Sequence, residues 1–233
     1  SFQRLFVSRG CPPDKIHIVM NSPDGSIFNR GSLARAGPGP ADNGAFVVMY
    51  HGTIVERNGL DTALYAISHL RDRIPNLRFD VYGDGDWVRD FLALVEELQL
   101  GDIVRYYGFV PLERIVSAIE GISVGLVPNK RTHFTEINLP TRIFEYLCMG
   151  KPVVVPETRG ILDYFDRDSM VLFEPGNSMS LSHALYGLYS DREFHSEILA
   201  KGMAVYRNYT WEAQSRYLVQ VVRSVTGSPQ AAG

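Results

Sequence analysis

Three loops of the chain combine glycine with charged residues in patterns suited to a phosphate-bearing ligand. The first loop, residues 51–59, follows the apolar run 46–50. Gly52 lets another group approach the main chain closely. Arg57 precedes a helical segment whose first amides favour an anion. The loop therefore indicates a phosphate site, and the alternative is a surface arginine beside a turn.

The second loop follows the apolar run 77–82 and contains Gly83 and Gly85. A glycine-rich turn at the end of a strand suits the close approach of a nucleotide, but the third glycine of the dinucleotide fingerprint is absent. A tight strand-to-helix turn explains the same residues equally well. In that case Asp86 would cap the following helix.

The third loop, residues 128–139, is polar, carries both signs of charge and is the most suggestive of the three. Most such connections have about two to six residues, and longer ones tend to be functional. Pro140 suits the first position of the next helix, whose free amides could hold anionic oxygens. Glu145 could then accept paired hydrogen bonds from hydroxyls such as those of a ribose. The alternative is an Arg142–Glu145 ion pair, worth a few tenths of a kcal/mol.

The elements that must position these loops alternate along the chain. Segments of helical period separate apolar runs at 46–50, 77–82, 103–107, 122–127, 152–155 and 170–173. Right-handed crossovers between such strands give a parallel sheet with helices on both faces. We therefore predict an α/β fold with a doubly wound, Rossmann-like sheet of about six strands. Such sheets bind ligands at the carboxyl ends of their strands. After Asn177 we predict a helical C-terminal extension, with Thr210 as the N-cap of its last helix.

The first 45 residues do not follow this alternation. They contain a helix end at 2–8, an apolar run at 16–20 that predicts a strand, and a Gly-Pro linker at 37–40. One helix end and one strand cannot form a core. We therefore expect residues 1–42 to be the remnant of another domain plus its linker. Residues 43–228 would form the main domain, and the serine at position 1 suggests a fragment.

Composition excludes several classes of protein. The formal net charge of −3 over 233 residues argues against binding nucleic acid through bulk charge. Cys11 and Cys148 cannot form a disulfide framework, and so few cysteines favour a cytoplasmic location. No apolar run reaches the roughly 18–20 residues of a membrane-spanning helix. The histidines lack the paired spacing of metal ligands, so no metal site is predicted.

Five segments, in order and spacing, resemble the C-terminal half of the group 1 (family 4) retaining glycosyltransferases, which have the GT-B fold. The resemblance extends from about Pro12 to Trp211. The segments are 51–53 with 57–61 (HGT, RNGLD), 81–85 (VYGDG), 108–111 (GFVP), 139–154 (LPTRIFEYLCMGKPVV) and the junction 21–24 (NSPD).

The resemblance implies a C-terminal domain that binds a nucleotide-sugar donor and a separate N-terminal domain that supplies most of the acceptor site. It makes Arg57 a ligand of the donor diphosphate and Glu145 the second glutamate of the E-x7-E motif, which holds the ribose hydroxyls. These two residues are the predicted catalytic residues. The predicted donor-binding residues are Gly52, Thr53, Arg57, Gly83, Gly85, Gly108, Phe109, Val110, Asn138, Leu139, Pro140, Thr141, Arg142 and Glu145. The resemblance also implies that Gly108 to Pro111 line the base.

The chain departs from the family pattern at several of these positions. Ile137 occupies the place of the first E-x7-E glutamate, and Glu136 lies one position away. Thr53 stands where the family has an arginine, and Pro140 where it often has glycine. Arg142 takes the place of a lysine found in a variant branch. We interpret this as a variant donor site.

The expected function is transfer of a sugar from a UDP- or GDP-sugar to an acceptor hydroxyl, with retention and without a required metal ion. The acceptor would be a glycan, a lipid-linked sugar or a small molecule, in carbohydrate biosynthesis. The full protein would have no nucleic-acid partner, and peripheral association with a membrane is compatible with the sequence. The chain alone is expected to be inactive. The alternatives are a nucleotide-binding module without catalysis and a sugar-nucleotide epimerase of GT-B architecture.

Overall fold

A parallel sheet of six strands forms the centre of the protein in the computed structural model, which describes residues 2–28 and 44–226. The strands are β1 (Phe46–His51), β2 (Leu77–Tyr82), β3 (Val104–Tyr106), β4 (Val124–Leu126), β5 (Val153–Pro156) and β6 (Val171–Phe173). Their order is β3-β2-β1-β4-β5-β6, and every neighbouring pair is parallel. The predicted doubly wound sheet is confirmed. Strand order reverses between β1 and β4, which is where such folds open a crevice.

Helices cover both faces of this sheet. They are α1 (Phe2–Ser8), α2 (Leu60–Leu70), α3 (Val88–Glu97), α4 (Leu112–Glu120), α5 (Arg142–Cys148), α6 (Arg159–Leu162), α7 (Ser178–Ser190), α8 (Arg192–Tyr206) and α9 (Trp211–Thr226). The helical extension after Asn177 is therefore confirmed. Ala213 N donates to Thr210 Oγ1 at 3.3 Å, so Thr210 caps α9 as predicted.

One helix start and one helix cap were predicted wrongly. The helix α5 begins at Arg142, with Thr141 as its N-cap, so Pro140 precedes the helix and does not occupy its first position. The helix α3 begins at Val88, and Asp86 does not cap it because Trp87 occupies the N-cap position.

The core consists of two apolar layers, one on each face of the sheet. Alternate residues of β1 enter opposite layers: Val48 and Tyr50 pack with α2, α3 and α7, whereas Val47 and Met49 pack with α4 and α5. The period of two along a strand and the helical period of the flanking segments produce this arrangement. Because both faces are covered, all six residues of β1 are buried.

Gly125 of β4 makes room for a side chain that ties α5 to the sheet. A Cβ atom at this position would come within 2.6 Å of Cδ1 of Tyr146 and closer still to its Cγ. The Tyr146 hydroxyl crosses the strand and donates to the carbonyl oxygen of Met49 at 2.9 Å. Tyr146 therefore fixes the position of α5 relative to β1.

The apolar run 16–20 was wrongly predicted to form a strand. Within the described ranges it pairs with no strand, and it lies beside α9. Met20 N donates to Gln214 Oε1 at 2.8 Å, and the Ser22 hydroxyl donates to the Tyr209 carbonyl. An extended segment needs a neighbouring strand to satisfy its main chain, and here a helix lies beside it. The predicted Gly-Pro linker at 37–40 lies outside the described residues.

Candidate functional site

The candidate site lies at the carboxyl ends of β1 and β2, beside the reversal of strand order. β1 ends at His51, and Gly52 turns the chain away with φ of +131° while its N–H donates to the Tyr82 carbonyl at 3.1 Å. The loop then continues into a short 3-10 helix, Glu56–Asn58, that leads to α2. Asn58 is buried and its Nδ2 donates to the Thr53 carbonyl at 2.7 Å, which fixes this loop.

Arg142, the first residue of α5, reaches across to this loop. Its Nη1 donates to the His51 carbonyl at 2.9 Å, and its guanidinium carbon lies 4.7 Å from the centre of the Tyr50 ring. A Cβ atom at Gly52 would lie 3.1 Å from Nη1 of Arg142. The lack of a side chain at Gly52 therefore lets the guanidinium approach the main chain closely.

Glu145, one turn further along α5, contacts the imidazole of His51. Its Oε2 lies 3.2 Å from His51 Nε2. Among the described residues it forms no ion pair with Arg142, so the alternative suggested by their spacing is not what the structure contains. Burial raises the pKa of Glu145, and the nearby Arg142 opposes that rise.

The imidazole of His51 is neutral over the physiological pH range. Burial, reinforced by the positive charge of Arg142, lowers its pKa to about 3. The side chain is only 10% exposed and packs edge-on against Tyr146, with ring centroids 5.0 Å apart. Its contact with Glu145 is therefore made by a neutral ring and not by an ion pair.

Arg57 brings the first and third loops together. Its carbonyl accepts a hydrogen bond from Lys130 N at 3.0 Å, and its exposed guanidinium lies 6.0 Å from the centre of the Phe134 ring. A Cβ atom at Gly59 would lie 2.9 Å from the carbonyl carbon of Pro128, so the two loops touch main chain to main chain. The Lys130 ammonium pairs with Asp61 at 2.6 Å, and Arg57 keeps its guanidinium at the surface.

A cleft of about 360 Å³ opens beside Gly52. Phe109 stands at this cleft with 83% of its surface exposed, which offers a flat apolar face on which a base can stack. The stacked rings of Tyr82 and Tyr107, 4.4 Å apart, support the same region. The cleft is lined by His51, Gly52, Thr53, Tyr82, Gly83, Asp84, Phe109, Val110, Leu112 and Ile115.

Gly83 and Gly85 serve loop packing. A Cβ atom at Gly83 would lie 2.9 Å from the carbonyl carbon of Gly52, and one at Gly85 would lie 2.7 Å from that of Ile54. Gly83 N also donates to the carbonyl of Gly108, whose φ of +68° is left-handed. The tight-turn interpretation accounts for these two glycines, and of the pair only Gly83 lines the cleft.

The predicted donor-binding residues that precede α5 in sequence do not line the cleft beside Gly52. Asn138, Leu139 and Thr141 line a second groove of about 340 Å³, whose other wall is α1 and the segment 16–21. Buried Pro140 lies between them in sequence. Some of the predicted site residues therefore line the cleft beside Gly52 and others line this second groove, whereas Arg142 and Glu145 contact His51 of the first loop.

Glu136 is engaged by two arginines. Its carboxylate lies 3.4 Å from Arg131 Nε and 3.6 Å from Arg159 Nε. Its main-chain carbonyl accepts a hydrogen bond from Gly160 N at 2.8 Å, which holds this loop on α6.

His51 is the site residue that the sequence analysis passed over. It appeared there only as part of a motif, yet it contacts both Arg142 and Glu145. Its position could have indicated its role, since His51 is the last residue of β1, the strand beside which the strand order reverses. In the part of the chain that the structure describes, no group of three or more His, Cys, Asp or Glu side chains is arranged to hold a metal ion.

The fold and this site define a class of protein: Rossmann-like domains with a cleft at the carboxyl ends of the strands, beside the reversal of strand order. Sequence comparison then identifies the family. The model of the glycosyl transferases group 1 family matches residues 37–203, which is more than half of the chain. The chain belongs to the group 1 glycosyltransferases, as the resemblance indicated.

Individual relatives agree with this assignment. The protein named for colanic acid biosynthesis, WcaL of Salmonella typhimurium, is 23% identical over 94% of this chain and 53% of its own length. The amylovoran biosynthesis glycosyltransferase AmsK of Erwinia amylovora is 22% identical over 80% of this chain and 45% of its own. The chain thus spans about half the length of the curated relatives it matches.

Solved structures with low sequence identity share the fold. Anabaena HepE, solved in complex with UDP and glucose, has a TM-score of 0.79 and 17% identity, over 95% of this chain and 60% of its own. Sucrose-phosphate synthase from Thermosynechococcus elongatus has a TM-score of 0.77 and 20% identity, over 98% of this chain and 58% of its own. No helix in residues 2–28 and 44–226 is both long and apolar enough to cross a membrane.

Proposed function

We propose that this domain binds the nucleoside diphosphate of a UDP- or GDP-sugar and presents the sugar for transfer to an acceptor hydroxyl with retention. One observation carries the proposal: Arg142 and Glu145 converge on His51 beside Gly52, at the reversal of strand order. A guanidinium suits a diphosphate, and a carboxylate suits the paired hydroxyls of a ribose. HepE, a neighbour in fold, was solved with UDP and glucose, which supports this choice of ligand.

Each group then has a distinct role. Arg57 and Arg142 bind the diphosphate and stabilise the charge that develops on it as the sugar departs. Glu145 accepts hydrogen bonds from the ribose, and Phe109 packs against the base. These side chains supply the required charges, and the proposed mechanism does not call for a metal ion.

The acceptor side belongs to the rest of the proposed enzyme. The relatives named for colanic acid and amylovoran biosynthesis support a glycan or lipid-linked sugar as the acceptor. We propose that residues 1–42 belong to an acceptor-binding domain and residues 43–228 to the donor domain.

The cytoplasmic location stays a prediction. We expect the 233-residue chain to bind nucleotide without turnover, and an assay of sugar release from UDP- and GDP-sugars checks this.

Replacing Arg57 or Glu145 by alanine is expected to weaken nucleotide binding by roughly tenfold or more. Each substitution removes a charged hydrogen bond worth about 1.5–3 kcal/mol. Calorimetric titration with UDP and GDP measures the effect. Arg89→Ala and Glu97→Ala are matched controls, because both side chains are exposed on α3, and they should bind as the wild type does. Unchanged affinity in both site variants would rule out the assignment.

A further inference from the structure

His51 contacts two residues of the proposed donor site, Arg142 through its main-chain carbonyl and Glu145 through its imidazole ring. Its imidazole Nε2 lies 3.2 Å from Glu145 Oε2, and its main-chain carbonyl accepts from Arg142 Nη1 at 2.9 Å. Nε2 forms no hydrogen bond within the described residues, so the first contact is an electrostatic one between the ring and the carboxylate. The ring itself is held by Tyr146, which packs against it edge-on.

We propose that His51 is a positioning residue of the donor site, whose neutral imidazole carries its proton on Nε2 and orients the Glu145 carboxylate toward the ribose hydroxyls. This inference rests on the proposed function, because it concerns the same ligand. A carboxylate accepts hydrogen bonds and donates none, so the nitrogen that faces it must carry the hydrogen. A neutral donor orients Glu145 without cancelling its charge, which leaves the second carboxylate oxygen able to accept from a ribose.

The two contacts of His51 respond differently to substitution. A change of side chain removes the contact with Glu145, whereas the carbonyl that holds Arg142 remains in every variant. We therefore expect a His51 variant to lose recognition of the ribose and to keep recognition of the diphosphate. Loss of packing alone would weaken both equally, so the ratio of the two effects separates positioning from a general structural role.

Calorimetric titration of the 233-residue chain with UDP, 2′,3′-dideoxy-UDP and UMP tests the inference. The wild type should prefer UDP to the dideoxy analogue by about tenfold or more, and Glu145→Ala should lose this preference. His51→Leu, which has no donor, should reduce the preference by about fivefold while keeping the preference of UDP over UMP. His51→Gln, whose longer amide reaches toward the position of Nε2, should restore most of it.

His51→Asn provides a second test if the leucine variant does not fold. Its amide nitrogen lies near the position of the imidazole Nδ1, short of Glu145, so it should lose the ribose preference. The inference is wrong if the leucine or asparagine variant keeps the ribose preference that Glu145→Ala loses, and in that case the proposed function stands. It is also wrong if both preferences fall together. A wild-type chain that binds neither UDP nor GDP would overturn the proposed function, and this inference with it.

Discussion

Gly125→Ala is expected to lower the free energy of unfolding by about 3 kcal/mol, near the upper end of the cost of overpacking a core. The added methyl group would overlap the ring of Tyr146. That ring cannot easily move, because its hydroxyl donates to the Met49 carbonyl and its other side packs against His51. Relief therefore requires a shift of α5, which carries Arg142 and Glu145, so nucleotide affinity should fall as well.

Urea denaturation measures the loss of stability. Gly187→Ala is the matched control, because a methyl group there enters open space within α7. It should be neutral or stabilise by about 0.5–1 kcal/mol. In a Tyr146→Ala background the ring is absent, and the added cost of Gly125→Ala should shrink to within about 1 kcal/mol. An equal cost in both backgrounds would show that the ring is not the obstacle.

Acidification from pH 7 to pH 5 is expected to remove about 2 kcal/mol of stability through His51 alone. Its pKa is about 3 in the folded chain, against an ordinary value of 6.5. Below pH 6.5 the His51 imidazole therefore takes up a proton in the unfolded chain, whereas in the folded chain it stays neutral until the pH approaches 3. The contribution of this depressed pKa is present above pH 6.5 and is lost progressively as the pH falls toward 3.

Comparison of wild type with His51→Gln isolates this effect, because glutamine does not titrate. The difference in unfolding free energy between the two proteins should change by about 2 kcal/mol between pH 7 and pH 5. Glu145 acts in the opposite direction, since burial raises its pKa and its contribution is lost as the pH rises through the folded value. A His51→Gln profile parallel to that of the wild type would contradict the assignment.

The sheet could be predicted because its signal is repeated: each apolar run pairs with a neighbour, and helical segments separate the runs. Where no neighbouring strand exists, the same signal misleads, as at 16–20, where a helix lies beside the segment and Gln214 of α9 accepts from Met20 N. Helix starts depend on individual caps, and the predicted start at Pro140 and the predicted cap at Asp86 were both wrong. The spacing of residues along the sequence does not show which residue becomes the N-cap when the preceding loop folds against the rest of the protein.

The site could be predicted only as a set of candidates. Arg57 and Glu145 were placed at the correct edge of the sheet because they follow strands that end there. Their partners come from other elements: the Arg142 guanidinium bonds to a main-chain oxygen 91 positions away in sequence, and Glu145 contacts a ring on β1. The sequence also could not show that Gly83 and Gly85 accommodate neighbouring main chain, because that requires knowing which loops touch.

The main-chain junction between the first and third loops has a consequence for engineering donor preference. Lys130 N donates a hydrogen bond to the Arg57 carbonyl. A side chain at position 59 would overlap the main chain at Pro128, so the two loops fit together only because Gly59 has none. Transplanting the segment 128–139 from a relative whose loop has a different length would therefore displace Arg57 unless 56–59 came with it. Mutant libraries that aim to change the sugar nucleotide should vary the two segments as one cassette.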